Sequence, residues 1–330
     1  MGSIRTIIKK CMKADKSPLV SVITLSYNSP DLYGAIDSVL GQDYENIEYI
    51  ILDDGTPSFD EKQVEKYIKD KQHGNIVRLI VSKSEKRVGI VKETNKGLSY
   101  STGEYIFNLA GDDQFADEKV LSDWVSEFKR TGAEVLTAYR EVYDENLQES
   151  LYIMPTQEEV AAIKTLSPME LFEYVEGYNI VFGCCTARTR NNLLDIGLIS
   201  EKYKLVEDYV LLLRLLRASK KIGFFDRIVV KYRSGGVCSI NKINREYLRD
   251  NDNIFKNEIL PYTTDKHRAK HKYYKWRNGT IWLQHQNRFQ AEKEAAKNNK
   301  LKLFAAYWRI GFKHPRRAFH KLRQKIKTKD

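Results

Sequence analysis

The chain has 330 residues, of which 42% are hydrophobic and 11% aromatic, and its net charge is +11. This length and composition suit one large α/β domain with a smaller addition, and they exclude a wholly disordered protein. Ten of the eleven net positive charges fall between Lys300 and Asp330, so the first 299 residues are almost neutral. This distribution argues against nucleic-acid binding by the main body of the chain.

The cysteines and the apolar runs indicate a cellular compartment. No C-x-x-C pair occurs among the four cysteines, and the adjacent Cys184 and Cys185 suit neither a disulfide framework nor a zinc site. We therefore expect a reducing cytosol. No run approaches about 18 apolar residues and no signal peptide is apparent, so the sequence predicts neither a membrane span nor export.

The first strand and helix are predicted after a basic N-terminal segment at residues 1–17. A β-branched apolar run over residues 19–25 is typical of a buried strand, and Tyr27 and Asn28 follow it closely. Apolar residues at helical spacing come next, with Ser29 as the expected N-cap and a proline in the first turn. Strand followed by helix is the start of a parallel α/β pattern.

Two acidic turns follow later strands. The apolar run at residues 49–52 ends in Asp53 and Asp54, and a run at residues 105–109 leads to Asp112 and Asp113. Because ligands bind at the carboxyl ends of strands in parallel sheets, we expect these side chains to converge on one crevice. Paired carboxylates attract Mg²⁺ or Mn²⁺, although acidic turns are also common in solvated loops. The residues alone leave both alternatives open.

The order and spacing of these motifs resemble family 2 glycosyltransferases of the GT-A fold. The matching segments are residues 20–28, 52–56, 103–113, 206–209 and 230–237. The resemblance covers roughly residues 18–240 and implies an α/β fold, with a Rossmann-like nucleotide-binding sheet flanked by helices. It also implies a nucleotide-sugar half at residues 18–115 and an acceptor half at 116–240.

The resemblance implies roles for individual residues. Asp208 would be the catalytic base with Glu207 beside it, and Asp113 with Asp112 would hold Mn²⁺ or Mg²⁺. This chain has Ala110 where many members have the first Asp of an Asp-x-Asp motif. The expected nucleotide-sugar ligands are Tyr27, Asn28, Asp54, Lys92, Asp112 and Arg233.

The positions of the histidines also favour carboxylates as the proton acceptors in catalysis. No histidine lies between residues 74 and 266, where the motifs occur, so histidine-based acid–base chemistry is disfavoured. Glu207 and Asp208 open an apolar helix over residues 210–218. Acids at a helix start also serve as caps or as partners of the helix dipole, and the family resemblance favours catalysis for Asp208.

The rest of the chain is predicted to be mainly helical. Helices are expected over residues 59–72, 90–100, 118–130, 157–175 and most of 241–299, and strands over 76–81 and within 134–154. The apolar, uncharged stretch 178–186 is typical of a buried strand. The resemblance also associates this stretch with the acceptor site.

Together these features predict an inverting, metal-dependent glycosyltransferase. The family resemblance and the basic tail imply that it moves a sugar from a nucleotide donor, most simply a UDP-sugar, to a hydroxyl of a lipid-linked saccharide in bacterial polysaccharide, capsule or O-antigen synthesis. One alternative is a nucleotide-sugar-binding homologue without transfer activity, which Ala110 keeps open. A nucleic-acid-binding protein that uses the basic tail is another, although no nucleic-acid partner is expected. A nucleotidyltransferase is disfavoured because residues 25–30 contain neither glycine nor a basic residue for a phosphate loop.

A helical extension over residues 241–330 is predicted to end in a basic amphipathic tail at 300–330. Aromatic residues at helical spacing among many cations suit an interfacial helix on anionic lipid. A helix packed on the protein is the alternative. The tail therefore predicts a cytoplasmic protein that is peripheral on the inner face of the cell membrane.

We expect the full chain to co-sediment with anionic vesicles at low salt and to be released at high salt. Each cation near the surface adds about 1 kcal/mol, so several together give reversible binding. A chain ending at Asn299 should remain soluble and lose this binding while still turning over a water-soluble acceptor. Equal vesicle binding by the two chains in a sedimentation assay would contradict a membrane role for the tail.

Overall fold

A mixed sheet flanked by helices organises the protein. The computed structural model describes residues 17–236 and 244–295, and within these ranges the sheet has nine strands. The predicted α/β fold is confirmed. Residues 1–16 of the predicted basic segment 1–17 and the whole predicted tail at 300–330 lie outside the described residues.

The strands and helices follow one another in close alternation through the first half of the chain. The strands are β1 (Val20–Ser26), β2 (Ile47–Asp53), β3 (Ile76–Lys83), β4 (Tyr105–Ala110), β5 (Gln114–Phe115), β6 (Val135–Tyr143), β7 (Ser150–Met154), β8 (Thr186–Thr189) and β9 (Gly223–Arg233). The helices are α1 (Leu32–Leu40), α2 (Glu61–Lys71), α3 (Ile90–Tyr100), α4 (Val120–Thr131), α5 (Gln157–Thr165), α6 (Pro168–Tyr174), α7 (Arg190–Ile196), α8 (Glu207–Arg217), α9 (Arg245–Ile254) and α10 (Lys266–Ala295).

The strand order places the polar strand ends side by side. The order is β3-β2-β1-β4-β8-β6-β9-β5, with β7 paired to β6. Strands β1 to β4 run parallel, and β8 is antiparallel to both β4 and β6. Because β1, β2 and β4 share one direction, their carboxyl ends meet at a single edge of the sheet.

Alternating side chains of the central strands bury both faces of the sheet. In β1, Val20 and Val22 pack with α1 and α4, whereas Ile23 packs on the other face with Leu98 of α3 and Leu193 of α7. All three β1 side chains are fully buried. Because alternate side chains pack into an apolar layer on each face of the sheet, the strand ends are held rigidly. Rigid strand ends are well suited to position the side chains of a functional site.

Two predicted helix boundaries were wrong. Helix α1 begins after Asp31, whose carboxylate accepts a hydrogen bond from Gly34 N at 3.1 Å, so Asp31 is the N-cap and Ser29 is not. The helix predicted over residues 157–175 is two helices, α5 and α6. Each starts with its own capping box, at Thr156 and at Ser167, and Pro168 begins the second helix.

The apolar stretch 178–186 is not the strand that its composition predicts. It is a loop with a short 3₁₀ turn at Gly183–Cys185, and strand β8 begins only at Thr186. The backbone N–H of Gly183 donates to Asp208 Oδ2 at 3.2 Å instead of joining a strand ladder. A Cβ at position 183 would lie 3.3 Å from the Asp208 Cβ, so glycine permits this close approach.

The described part of the C-terminal extension is helical, as predicted. Helix α9 continues into a π-helical turn at Phe255–Ile259, and helix α10 follows. Buried Asp250 accepts hydrogen bonds at 2.7 Å from the backbone N–H groups of Lys204 and Leu205, just before α8. The extension therefore supports the start of α8. Within the part of the chain described here, no helix is both long and apolar enough to cross a bilayer.

Candidate active site

A crevice of about 430 Å³ opens where the carboxyl ends of β1 and β4 face the start of α8. Six of the residues selected from the sequence line it: Tyr27, Asp54, Asp112, Asp113, Glu207 and Asp208. The two acidic pairs come from segments about 95 residues apart in the chain, and the fold brings both to the same cavity.

Asp54 anchors the loop that leads into α3. Its carboxylate accepts hydrogen bonds from the backbone N–H groups of Val88 and of Gly89, the latter at 3.0 Å. Arg87 of the same loop lies over the Tyr27 ring at 4.5 Å and 3.9 Å from Asp54 Oδ2. The crevice wall beside β1 therefore combines an aromatic face, a cation and a carboxylate, which are groups that suit a nucleoside.

The acidic turn after β4 holds a buried carboxylate with a vacant acceptor. Asp113 is 1% exposed; its Oδ1 accepts a hydrogen bond from Arg233 N at 2.9 Å, and its Oδ2 has no hydrogen-bond partner. Burial raises the pKa of Asp113 well above 3.8, and burial also raises the pKa of Asp112. An unpartnered carboxylate oxygen in this position is costly unless a cation or a proton neutralises it.

Asp112 and Asp113 fit a divalent cation as two of its ligands. The described residues contain no group of three or more His, Cys, Asp or Glu side chains that could hold a metal ion. A cation here would need water or substrate oxygens for its remaining positions. Mg²⁺ characteristically binds in this way, through one or two carboxylates and phosphate oxygens.

Arg233 does not face the crevice as the predicted phosphate ligand would. Its guanidinium donates to Asp112 O at 3.0 Å, to Glu145 O at 2.7 Å and to Asp31 Oδ2 at 2.9 Å. The side chain is buried at 8% exposure. Because these donors already have protein acceptors, Arg233 braces the Asp112–Asp113 turn against β9.

Glu207 and Asp208 occupy the first turn of α8 in different environments. Asp208 Oδ1 accepts a hydrogen bond from Tyr209 N at 2.7 Å and Oδ2 accepts one from Gly183 N, whereas burial and the charge of Asp208 raise the pKa of Glu207 to about 8. Burial also raises the pKa of Asp208, but the two backbone donors oppose that rise. Glu207 is therefore the carboxyl of the pair that holds a proton at neutral pH, and the two backbone donors favour the charged form of Asp208.

Glu207→Gln is expected to remove a pH dependence of stability. Because the folded pKa exceeds the unfolded value, the folded state binds more protons, and the stability that Glu207 contributes falls between about pH 4.5 and pH 8. The variant should gain at least roughly 2 to 4 °C in Tm at pH 8, the effect of about 1 kcal/mol in a large domain, and nothing at pH 4.5. Thermal melts give the Tm of both proteins across this pH range. If the difference in Tm between them is the same at every pH, the raised pKa of Glu207 is refuted.

Like Arg233, two further residues selected from the sequence lie outside the cavity lining. Asn28 is exposed beside the crevice, in a left-handed conformation (φ 47°), with its backbone N–H donating to Thr56 Oγ1 at 2.7 Å. Lys92 pairs at the surface with Glu201 at 3.5 Å. Lys92 therefore lies at the surface and not in the lining of the crevice.

Sequence reasoning missed several residues that line the crevice. Glu93, Arg140, Tyr247 and Trp276 all contribute to it. A single cation inside the apolar strand at residues 135–143 was a signal for Arg140. No local signal marked Tyr247 and Trp276, because α9 and α10 reach the crevice only in the folded protein.

The model of the family described as "Glycosyl transferase family 2" matches residues 21–194. The chain belongs to glycosyltransferase family 2. The match covers the strand ends of the crevice and stops before Glu207 and Asp208. The family predicted from the motifs is thereby confirmed, over a shorter range than residues 18–240.

Curated relatives of this family 2 chain are similar at moderate identity. An uncharacterized glycosyltransferase of Rickettsia felis is 27% identical over 77% of this chain and 40% of its own length. The UDP-Glc:alpha-D-GlcNAc-diphosphoundecaprenol beta-1,3-glucosyltransferase WfaP of Escherichia coli is 29% identical over 72% of this chain and 86% of its own length. The chain spans 40 to 64% of the three Rickettsia relatives that match first.

Solved structures confirm the GT-A fold. The S. aureus protein TarS, residues 1–349 in complex with UDP-GlcNAc, matches 88% of this chain and 80% of its own with a TM-score of 0.55 at 16% identity. The mannosyltransferase PcManGT of Pyrobaculum calidifontis, in complex with GDP-Man and Mn²⁺, covers 92% of this chain and 84% of its own with a TM-score of 0.56 at 15% identity.

Proposed function

We propose that this protein is an inverting, metal-dependent glycosyltransferase that moves a sugar from a UDP-sugar to a hydroxyl of a lipid-linked saccharide. The observation that carries the proposal is the convergence of two acidic pairs, Asp112–Asp113 and Glu207–Asp208, on one crevice of about 430 Å³. Asp112 and Asp113 would bind the metal ion at the donor diphosphate. Asp208, in the other pair, would accept the proton of the acceptor hydroxyl. The product would enter a bacterial surface polysaccharide.

The donor binds along the strand ends in this proposal. Tyr27 and Arg87 form a stacked wall for the nucleoside, with Asp54 beside them. Asp112 and Asp113 would hold Mn²⁺ or Mg²⁺, which supplies charge neutralisation of the diphosphate leaving group when bound. The name of the E. coli relative, which specifies UDP-Glc, supports a uridine nucleotide.

Proton transfer falls to Asp208. A sugar hydroxyl is a weak nucleophile, and a carboxylate within hydrogen-bond reach can accept its proton as it attacks. Backbone donors from Gly183 and Tyr209 favour the charged form of Asp208, and the raised pKa of Glu207 favours its protonated form. Attack from the side of the sugar opposite the diphosphate is a single displacement, which inverts the anomeric centre.

The acceptor enters between the loop at residues 178–186 and the C-terminal extension. Tyr178, Tyr247 and Trp276 give this end of the crevice aromatic faces, on which sugar rings pack well. The E. coli relative carries an undecaprenol diphosphate acceptor in its name, which supports a lipid-linked saccharide. An acceptor of this kind would also require the protein to work beside a membrane.

A donor panel tests the proposal. Thermal shift with UDP-glucose, UDP-N-acetylglucosamine, GDP-mannose and free UDP is measured with Mn²⁺ present, together with slow donor hydrolysis. A ligand that binds only the folded state stabilises it by about 2.7 kcal/mol at a hundredfold excess over Kd. We expect UDP and at least one UDP-sugar to raise the Tm, and that sugar nucleotide to be hydrolysed.

The outcomes separate the competing functions. Stabilisation by UDP-sugars without hydrolysis or transfer would favour a binding-only homologue. If GDP-mannose alone raises the Tm, the donor is a GDP-sugar and not a UDP-sugar, and the proposed reaction class is unchanged. If no nucleotide raises the Tm, the proposed function is wrong.

A further inference from the structure

Arg140 lies in the crevice between two aromatic rings. It projects from β6, and its guanidinium carbon is 3.7 Å from the ring centre of Phe182 and 4.2 Å from that of Tyr232. Stacking on two rings fixes the plane of the guanidinium and removes most of its freedom to swing into solvent. The cation is therefore held in place before any ligand arrives.

The polar contacts of Arg140 are weak for a half-buried cation. Nη1 donates to Cys184 Sγ at 3.8 Å and Nη2 to Met154 Sδ at 3.7 Å, and Nε is buried without a hydrogen-bond partner. Sulfur is a weak acceptor. Within the described ranges, no carboxylate oxygen lies within 4.0 Å of this guanidinium, in contrast to the buried Arg233 and its partner Asp31.

We propose that Arg140 binds a phosphoryl group of a substrate. This inference rests on the proposed function, in which both substrates carry diphosphate. A planar guanidinium presents two parallel N–H donors that match two phosphate oxygens, and such charge-assisted bonds are stronger than bonds between neutral groups. The anion would give Arg140 the acceptor that the protein does not provide.

The location of Arg140 suits a phosphoryl group beside the reacting centre. The same cavity is lined by Arg140, by Asp112 and Asp113, and by Glu207 and Asp208, so the guanidinium shares the crevice with both acidic pairs. A diphosphate bound among these carboxylates meets negative charge on both sides. A fixed cation in the same cavity would offset that repulsion.

Arg140→Lys tests the proposal because it keeps the charge and loses the planar pair of donors. Titration calorimetry compares UDP with uridine, and steady-state kinetics compare a lipid-diphosphate saccharide with the same saccharide lacking the diphosphate. If the phosphoryl group belongs to the donor, we expect UDP affinity to fall about tenfold and uridine affinity to be unchanged. If it belongs to the acceptor, we expect about a tenfold rise in KM for the diphosphate acceptor alone.

Arg227→Lys is the matched control. Arg227 also lies in a strand, β9, but pairs outside the crevice with Asp117 at 2.6 Å. Arg227→Lys should change neither the affinity for UDP relative to uridine nor the KM for the diphosphate acceptor. The proposal is overturned if Arg140→Lys changes UDP affinity and the KM for the diphosphate acceptor by less than twofold.

Labelling of the wild-type protein keeps the proposal testable if Arg140→Lys does not fold. Phenylglyoxal modifies arginine, and peptide mapping reports its extent at Arg140 and Arg227. We expect UDP, pyrophosphate or the lipid-diphosphate acceptor to protect Arg140 and uridine not to. Equal labelling of Arg140 with and without all these ligands overturns the proposal. Donor hydrolysis by the same protein shows separately whether the proposed function holds.

Discussion

Asp208→Asn is expected to lower kcat for sugar transfer by about 10²- to 10⁴-fold, the usual contribution of a general base. The amide cannot accept a proton from the acceptor hydroxyl, but it keeps an oxygen for the backbone donor at Gly183 or Tyr209. UDP affinity should change little, because Asp208 belongs to α8 and not to the strand ends. Steady-state transfer kinetics and UDP calorimetry on the same preparation measure both quantities.

Two comparisons isolate the base from its surroundings. Glu207→Gln should reduce kcat less than Asp208→Asn does, because Glu207 already carries the proton of the pair at neutral pH. Asp226→Asn, at an exposed carboxylate paired with Lys164, is the control and should have no effect. Wild-type turnover in a folded Asp208→Asn protein would remove Asp208 from the mechanism.

The sequence predicted the features that depend on local pattern. Strands β1, β2 and β4 are mainly apolar stretches of seven or six residues, and polar or acidic residues lie at or just beyond the end of each. Because parallel strands end at one edge of a sheet, the convergence of Asp54, Asp112 and Asp113 followed from the strand–helix alternation. The family and its GT-A fold were predicted from the same motifs and were confirmed.

Features that depend on distant partners were not predicted. The stretch 178–186 has the composition of a buried strand, but its backbone at Gly183 bonds to a carboxylate 25 residues later in the chain. Arg233 and Lys92 carry cations that suit phosphate, and only the folded structure shows that protein acceptors engage them. The aromatic contributions of Tyr247 and Trp276 required the packing of α9 and α10.

Asp113→Asn is expected to abolish the gain in UDP affinity that Mn²⁺ or Mg²⁺ provides, a gain of about tenfold or more, equivalent to about 1.4 kcal/mol. Asp113 Oδ2 is the buried oxygen without a hydrogen-bond partner, and an amide nitrogen in its place cannot bind a cation. UDP calorimetry in Mn²⁺ and in EDTA measures the gain directly. Asp112→Asn should reduce it as well.

Asp113→Asn should weaken metal-dependent UDP binding without lowering the stability of the fold. Measuring both therefore separates an effect on metal binding from an effect on folding. Without metal, the wild-type protein must bury the Asp113 carboxyl, whose pKa burial raises well above 3.8. A neutral amide avoids that cost, and its oxygen can still accept the hydrogen bond from Arg233 N. We therefore expect Asp113→Asn to melt at or above the wild-type temperature in EDTA at pH 7. Asp117→Asn lies outside the crevice and is the control, which should keep the gain in UDP affinity that the metal provides. If UDP binds the wild-type protein equally well in EDTA and in Mn²⁺, the metal assignment is wrong.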